Sequence, residues 1–254
     1  MIHAILQARM SSNRLPNKVL LPIAGVPMLQ RQIQRIQRAK QIERLTIATS
    51  RETSDDPIEA LCKKLRINCY RGSLNDVLDR MYQAALQTSS SHVVRLTGDC
   101  PLVDPVLIDV HITRHLNNNN DYTSNTLEPT FPDGLDIEVI RFETLQLAWR
   151  ESTTPSQREH VTPFIYGDPT RFQLENILSE KALNHLRWTV DEPEDLKFVR
   201  SVYDELHESN PNFTTTDVLN LLAAQPHLTK LNSHHTRNQG YLDSLAQEQG
   251  SNCP

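Results

Sequence analysis

IHAILQARMSSNRLPNKVL, residues 2–20, is the stretch on which the reading of the chain turns. Ile2–Gln7 is a short apolar run with no helical period, which predicts a buried strand. It passes directly into a polar run, ARMSSNRLPNK, rich in cations and hydroxyls. Further along, Met28, Leu29, Ile33 and Ile36 recur near helical spacing and predict a helix over 28–39. Residues 45–49 predict the next strand. Asp56-Pro57 predicts a helix with Asp as cap and Pro at its first position. A weak strand over 67–70 precedes a helix capped by Asn75, with Val77, Leu78, Met81, Ala84 and Ala85 on its inner face. Residues 92–96 form a further strand, and Asp104-Pro105 starts the helix after it. Strands alternating with helices predict a mostly parallel sheet covered on both faces, a three-layer α/β/α architecture.

The rhythm loosens after a polar turn at 117–120. Short strands are expected near 121–124 and 137–140, helices from Phe142 and Ser156, and a strand over 172–177. This reads as an insertion, about residues 120–180, protruding from the sheet. A strand over 187–190 and a helix from Pro193 follow, with Glu194 and Asp195 in the first turn, where the helix dipole favours anions. Thr216 or Asp217 opens a last short helix. Residues 1–225 are thus expected to hold one domain. Residues 226–254 are polar and aperiodic, and are expected to be a disordered tail. No internal repeat is visible.

Composition narrows the function. Of 254 residues, 38% are hydrophobic and 22% charged, as in ordinary globular proteins. No apolar run approaches the ~20 residues of a membrane span. The first residues lack the regions of a signal peptide. Cys62, Cys69, Cys100 and Cys253 form no CxxC pair, so a disulfide scaffold is excluded and a cytoplasmic location is expected. A net charge of −5 argues against a nucleic-acid partner. Residues 1–42 nevertheless carry seven cations and no acid, leaving −12 for the remainder. The opening loop is therefore expected to meet an anion. Arg31, Arg35 and Arg38 are expected on a solvated helix face.

In an open parallel sheet, ligands bind beyond the carboxyl ends of the strands. Arg9, Ser11, Ser12, Arg14 and Lys18 follow the first strand closely, supplying the forks, hydroxyls and ammonium that hold phosphate. Neither GxxxxGK[ST] nor GxGxxG is present. Asp99 and Asp191 each close a predicted strand, whereas Asp104 and Glu192 are better placed to cap helices. Two strand-end carboxylates can converge on one Mg²⁺. Pro132-Asp133-Gly134 is a turn signal. Arg158 and His160 lie near a helix start, where they could meet substrate. His3, His92 and His185 are expected to be structural, and His234-His235 finds no convincing third metal ligand. No GxSxG elbow supports serine hydrolysis.

QARMSSNRLPNKVL, RGSLNDVLDR, RLTGDCPLVDP, PDGLDIEV, REHVTPFIY and RWTVDEPEDL, in that order, closely resemble the cytidylyltransferases of the spore-coat polysaccharide biosynthesis protein F type. That family is related to the CMP-Kdo and CMP-sialic acid synthetases. The resemblance runs from Met1 to about Asn220 and implies a nucleotide-diphospho-sugar transferase fold. The family pattern ARxxSxRxPxK is matched by Arg9, Ser12, Arg14, Pro16 and Lys18, which would wrap the triphosphate. Ala8, Ser11, Gly72, Ser73, Thr97 and Gly98 complete the residues expected at the nucleotide. Asp99 matches the family's Mg²⁺ site and Asp191 its second ligand. Gly98-Asp99-Cys100-Pro101 departs from the GDEP of the Kdo enzymes, and Thr97 stands where they often carry Gln.

The resemblance implies transfer of CMP from CTP to an acidic sugar, with release of pyrophosphate, for surface polysaccharide synthesis. Arg9, Lys18 and Asp99 would carry the reaction, while Asp133, Arg158 and His160 would meet the acceptor. Phe164, Ile165 and Tyr166 could pack against a second copy, and a homodimer is expected. Three alternatives stand: cytidylyl transfer to a non-sugar acid or phosphonate, a glycosyltransferase on the same fold, and a non-catalytic binding homologue. No DxD motif follows Asp99, which weighs against the glycosyltransferase.

Overall fold

The computed structural model describes residues 1–251; the end of the tail, with Cys253, lies outside the described residues. The chain runs from β1 (Ile2–Gln7) through a small hairpin, β2 (Pro22–Ile23) and β3 (Val26–Pro27), into α1 (Met28–Ile36). β4 (Arg44–Ser50), α2 (Asp56–Leu65), β5 (Asn68–Gly72), α3 (Val77–Leu86), β6 (His92–Thr97) and α4 (Pro105–Asn117) continue the alternation. The middle supplies β7 (Tyr122–Ser124), β8 (Glu138–Arg141), α5 (Phe142–Glu151), α6 (Pro155–His160), α7 (Pro163–Tyr166) and β9 (Leu174–Asn176). Three helices follow: α8 (Pro193–Leu206), α9 (Thr215–Ala224) and α10 (Gln239–Ser251).

β1 lies inside the sheet, parallel to β4 on one side and β6 on the other. Its alternation feeds two cores. Ile2, Ala4 and Leu6 join the layer built by α1, α4 and α8, while Ile5 joins that of α3 and α5. Both faces are buried, which is why the strand reads as a continuous apolar run. His3 is buried here too, bonded to Ser90 and Thr46 hydroxyls, and burial brings it down to about 4. The seven strands stand in the order β5-β4-β1-β6-β8-β7-β9, and β8 is antiparallel to both of its neighbours.

The middle segment differs from its expected form. Rather than protruding, β7, β8 and β9 extend the main sheet, because Tyr122, Val139 and Ile140 are fully buried in its cores. Residues 187–190 form no strand. Their donors are divided, Trp188 N to Asp133 O at 2.6 Å and Val190 N to Asp99 O at 2.8 Å, so no single ladder forms. Three caps also shift. Asp76, not Asn75, caps α3, accepting from Asp79 N at 2.8 Å. Asp56 is the first residue of α2, and Asp55 before it turns inward. Thr214 caps α9, slightly before the expected start. Asp104 caps α4 as the Asp-Pro step predicts.

The tail is ordered over residues 226–251, against expectation. A 3-10 helix, Pro226–Leu231, precedes α10. The anchors are polar and escape any search for apolar period: buried Asn232 donates to Arg187 O at 2.9 Å and to Asp195 Oδ1 at 2.8 Å. Glu248 then accepts from Ser156 N at 2.6 Å, tying α10 to α6. Arg31 and Arg35 are buried rather than solvated. Their Nε atoms donate to Ile23 O and Val103 O, fastening α1 to neighbouring loops.

Candidate active site

A cleft of about 800 Å³ opens at the carboxyl ends of β1 and β6. These ends approach closely because Gly98 has no side chain. Its N–H donates to Gln7 O at 2.8 Å, and a Cβ would stand 2.8 Å from that same oxygen. The chain then turns Asp99 into the cleft. Val190 N and Thr189 Oγ1 both donate to Asp99 O, which brings Asp191 alongside despite its distance in sequence.

Lys18 joins the two aspartates. Asn17, at φ 60°, reverses the loop and sets Lys18 at the start of a 3-10 turn. Its Nζ lies 2.8 Å from Asp191 Oδ1, 3.3 Å from Asp99 Oδ2 and 2.8 Å from Val190 O. Burial alone would lower the Lys18 pKa, but the two carboxylates raise it, so the ammonium stays charged. Burial likewise works against ionised Asp99. The Lys18 ammonium, with the Thr97 and Cys100 side chains, brings it down to about 2. Asp99 is thus held as an anion.

The opening loop forms one wall. Asp55 pins it, accepting from Met10 N at 2.8 Å while also taking Thr49 Oγ1 and Ser50 N. Arg14 Nη2 lies 3.0 Å from Asp191 Oδ2, and Arg9 lies 3.8 Å from Glu159. Both guanidiniums are over a third exposed, with side-chain accessibilities of 37% and 43%. Ala8, Ser11, Ser12, Thr97 and Gly98 line the same cleft.

Another wall of the cleft carries Asp133, Asp136, Glu138 and His160. Gly134, at φ +101°, makes the turn that presents Asp133. His160 Nε2 lies 3.0 Å from Ser244 Oγ, and its ring meets that of Tyr241 edge-on at 4.9 Å. Burial lowers its pKa, leaving the imidazole neutral at neutral pH. Gly72, Ser73 and Arg158 stand apart from this wall. Arg158 is spent on Asp76, at 3.0 Å from Nε, and on Trp149 O, so it braces the start of α3. Ser73 Oγ accepts from Asp76 N at 3.1 Å, and Ser73 O takes Arg80 Nη1 at 2.8 Å. That second bond places Arg80, which does line the cleft.

Residues 3–212 match the model of the family described as Cytidylyltransferase. The chain belongs to the cytidylyltransferase family. It is 32% identical to the spore coat polysaccharide biosynthesis protein SpsF of Bacillus subtilis (strain 168) over 229 residues, 87% of this chain and 94% of that protein. It is 33% identical to a 3-deoxy-manno-octulosonate cytidylyltransferase of Geobacter sulfurreducens over 148 residues, 56% of this chain and 57% of that one. The solved structure of a cytidylyltransferase from Leptospira borgpetersenii serovar Hardjo-bovis superposes with a TM-score of 0.87 at 29% identity, covering 92% of this chain and 98% of the other. The fold is that of the nucleotide-diphospho-sugar transferases.

Several residues that shape this cleft, most of them inside the quoted motifs, reveal their role only through long-range partners. Arg187 is the clearest. Its guanidinium binds both oxygens of Asp195 at 2.9 Å, Asp133 at 3.0 Å and Asp191 at 3.3 Å, so it fixes both walls at once. Arg95 pairs with Glu138, which also accepts from Tyr122 at 2.6 Å and Thr162 at 2.7 Å. Arg237 pairs with Asp136 at 2.6 Å from a segment expected to be disordered. No cluster of three or more His, Cys, Asp or Glu suited to a metal occurs among the described residues. Asp99 and Asp191 nonetheless offer the oxygen donors that a hard divalent ion such as Mg²⁺ would take. That ion commonly takes one or two carboxylates and fills its remaining positions with water and substrate phosphate.

Proposed function

We propose that the chain transfers CMP from CTP to a hydroxyl of an acidic sugar. The observation that carries this reading is the Lys18 ammonium set between Asp99 and Asp191, beside a loop bearing two accessible guanidiniums. Arg9, Arg14 and Lys18 neutralise the triphosphate, assisted by Ser11 and Ser12 and by the backbone at Ala8, Thr97 and Gly98. Gly72 and Ser73 serve the nucleotide indirectly, through Arg80. The acceptor oxygen attacks the α-phosphorus, the bond to the β-phosphate oxygen breaks, pyrophosphate leaves, and the hydroxyl proton passes to solvent. Positioning and charge stabilisation carry such a displacement, with no covalent enzyme intermediate. Mg²⁺ held by Asp99 and Asp191 supplies Lewis acidity when bound. Asp133 and His160 face the acceptor, while Arg158, paired with Asp76, braces the start of α3.

The named activity of the Geobacter relative supports a keto-acid sugar as acceptor, and the SpsF likeness supports a role in surface polysaccharide synthesis. The enzyme works in the cytoplasm as a homodimer; Ile165 is buried within its own chain and Tyr166 lines the cleft, which leaves Phe164 to the interface. Light scattering checks that state. The deciding experiment incubates the protein and Mg²⁺ with each of the four nucleoside triphosphates and a panel of keto-acid sugars, followed by mass spectrometry. A CMP-sugar formed only with CTP is expected. Cytidylylated phosphonates or non-sugar acids alone would replace the acceptor assignment, and absence of any nucleotidyl product would overturn the proposal.

A further inference from the structure

Arg31, Arg35 and Arg38 line a second cavity of about 240 Å³, with Tyr203, His207 and Asn212, that shares no lining residue with the cleft. Its charge is unusual for a buried site. Arg35 is 4% exposed, and its Nη1 and Nη2 are buried with no hydrogen-bond partner. The group is held by Nε on Val103 O at 2.8 Å and by the Phe213 ring 4.4 Å away. The neighbouring Tyr203 hydroxyl donates to Pro101 O at 2.8 Å.

The adjoining cations also find neutral acceptors. Arg31 donates to Ile23 O, Ala24 O and Gln34, and Arg38 to Asn212 O at 2.8 Å. Asp104 is the acid that acts on Arg35, but it is already committed. Oδ1 takes Val106 N and Leu107 N, and Oδ2 takes Thr215 N and Oγ1. Beyond Nε and the Phe213 ring the guanidinium meets only the neutral Tyr203 hydroxyl, and a desolvated cation so poorly matched is costly unless an anionic acceptor joins it. We propose that this cavity binds a small oxyanion of the phosphate type, with Arg35 as the buried anchor and Arg31 and Arg38 at its mouth. Planar guanidinium forks suit tetrahedral phosphate oxygens. The cavity is too small for a nucleotide, so the ligand is inorganic phosphate or a small phosphomonoester.

The test is calorimetric titration of the full chain with inorganic phosphate, and separately with glycerol phosphate, while CTP occupies the cleft. Arg38→Glu reverses a charge at the half-exposed mouth, and Arg35→Met keeps an apolar stem on Phe213. Each is expected to weaken phosphate binding at least tenfold, since charge-assisted bonds are lost, with CTP affinity unchanged. Tighter binding of the ester than of phosphate identifies a phosphomonoester, and the reverse identifies the inorganic ion. If neither anion binds at about 10 mM, or if both variants bind phosphate as the wild type does, the cavity is not an anion site.

Discussion

Replacing Lys18 by Met keeps the stem and removes the ammonium between Asp99 and Asp191. Breaking a buried ion pair costs about 3–5 kcal/mol. The Lys18 side chain is 10% exposed, but Asp99 and Asp191 are 27% and 19% exposed, so solvent relieves part of that cost. The low end, about 3 kcal/mol, follows. For a chain of this size that is a fall in Tm of about 6–12 °C. The pH dependence changes as well. Asp99, held near 2 in the folded protein, contributes stability above its unfolded pKa near 4 and loses it as pH falls toward 2. Without the ammonium that contribution shrinks. A divalent ion can then take the vacated charge position, so Mg²⁺ is expected to raise the variant's Tm by more than the wild type's. CTP-dependent pyrophosphate release should fall by about two to three decades, as when one fixed electrostatic stabiliser is lost. Thermal denaturation with and without Mg²⁺, beside a pyrophosphate assay, reads all three. A variant melting within about 1 °C of wild type, or one turning over at the wild-type rate, would refute the argument.

Two further outcomes follow from the same structure. Burial brings His3 and His111 to about 4 and His115 to about 3, so the unfolded chain takes up protons first as pH falls below 6.5. Stability should be intact above that pH and drop by about 2 kcal/mol per histidine, about 6 kcal/mol in total, by pH 5, seen as a falling Tm; a Tm unchanged from pH 7 to 5 would contradict this. Gly98→Ala forces a methyl against Gln7 O, where a Cβ stands 2.8 Å away. It should cost about 1–3 kcal/mol of stability, and kcat/KM should fall by more than the melting curve explains because Asp99 moves; wild-type kinetics would exclude that coupling.

The sequence exposes those parts of the site that local chemistry writes. The cations of the opening loop, Gly98-Asp99 and Asp191 stand where strand ends are expected, and the structure gathers them in one cleft. Residue type was less informative where long-range partners decide. Residues 187–190 have strand composition, yet their N–H groups answer to Asp133 and Asp99 separately. Arg158 has the chemistry of a carboxylate receptor, and finds one in Asp76 within its own chain. The tail has no apolar period because Asn232, Arg237 and Glu248 fasten it through polar contacts. Arg31 and Arg35 look like surface charges until the carbonyls they hold are known.

The most direct measurement compares Asp99→Asn with wild type for CTP-dependent pyrophosphate release under saturating Mg²⁺ and acceptor. The amide fills the same space but cannot answer the Lys18 charge or take a hard cation. A loss of about two to three decades in rate is expected, about 3–4 kcal/mol of transition-state stabilisation. Undiminished release by a folded Asp99→Asn protein would contradict the account at its centre.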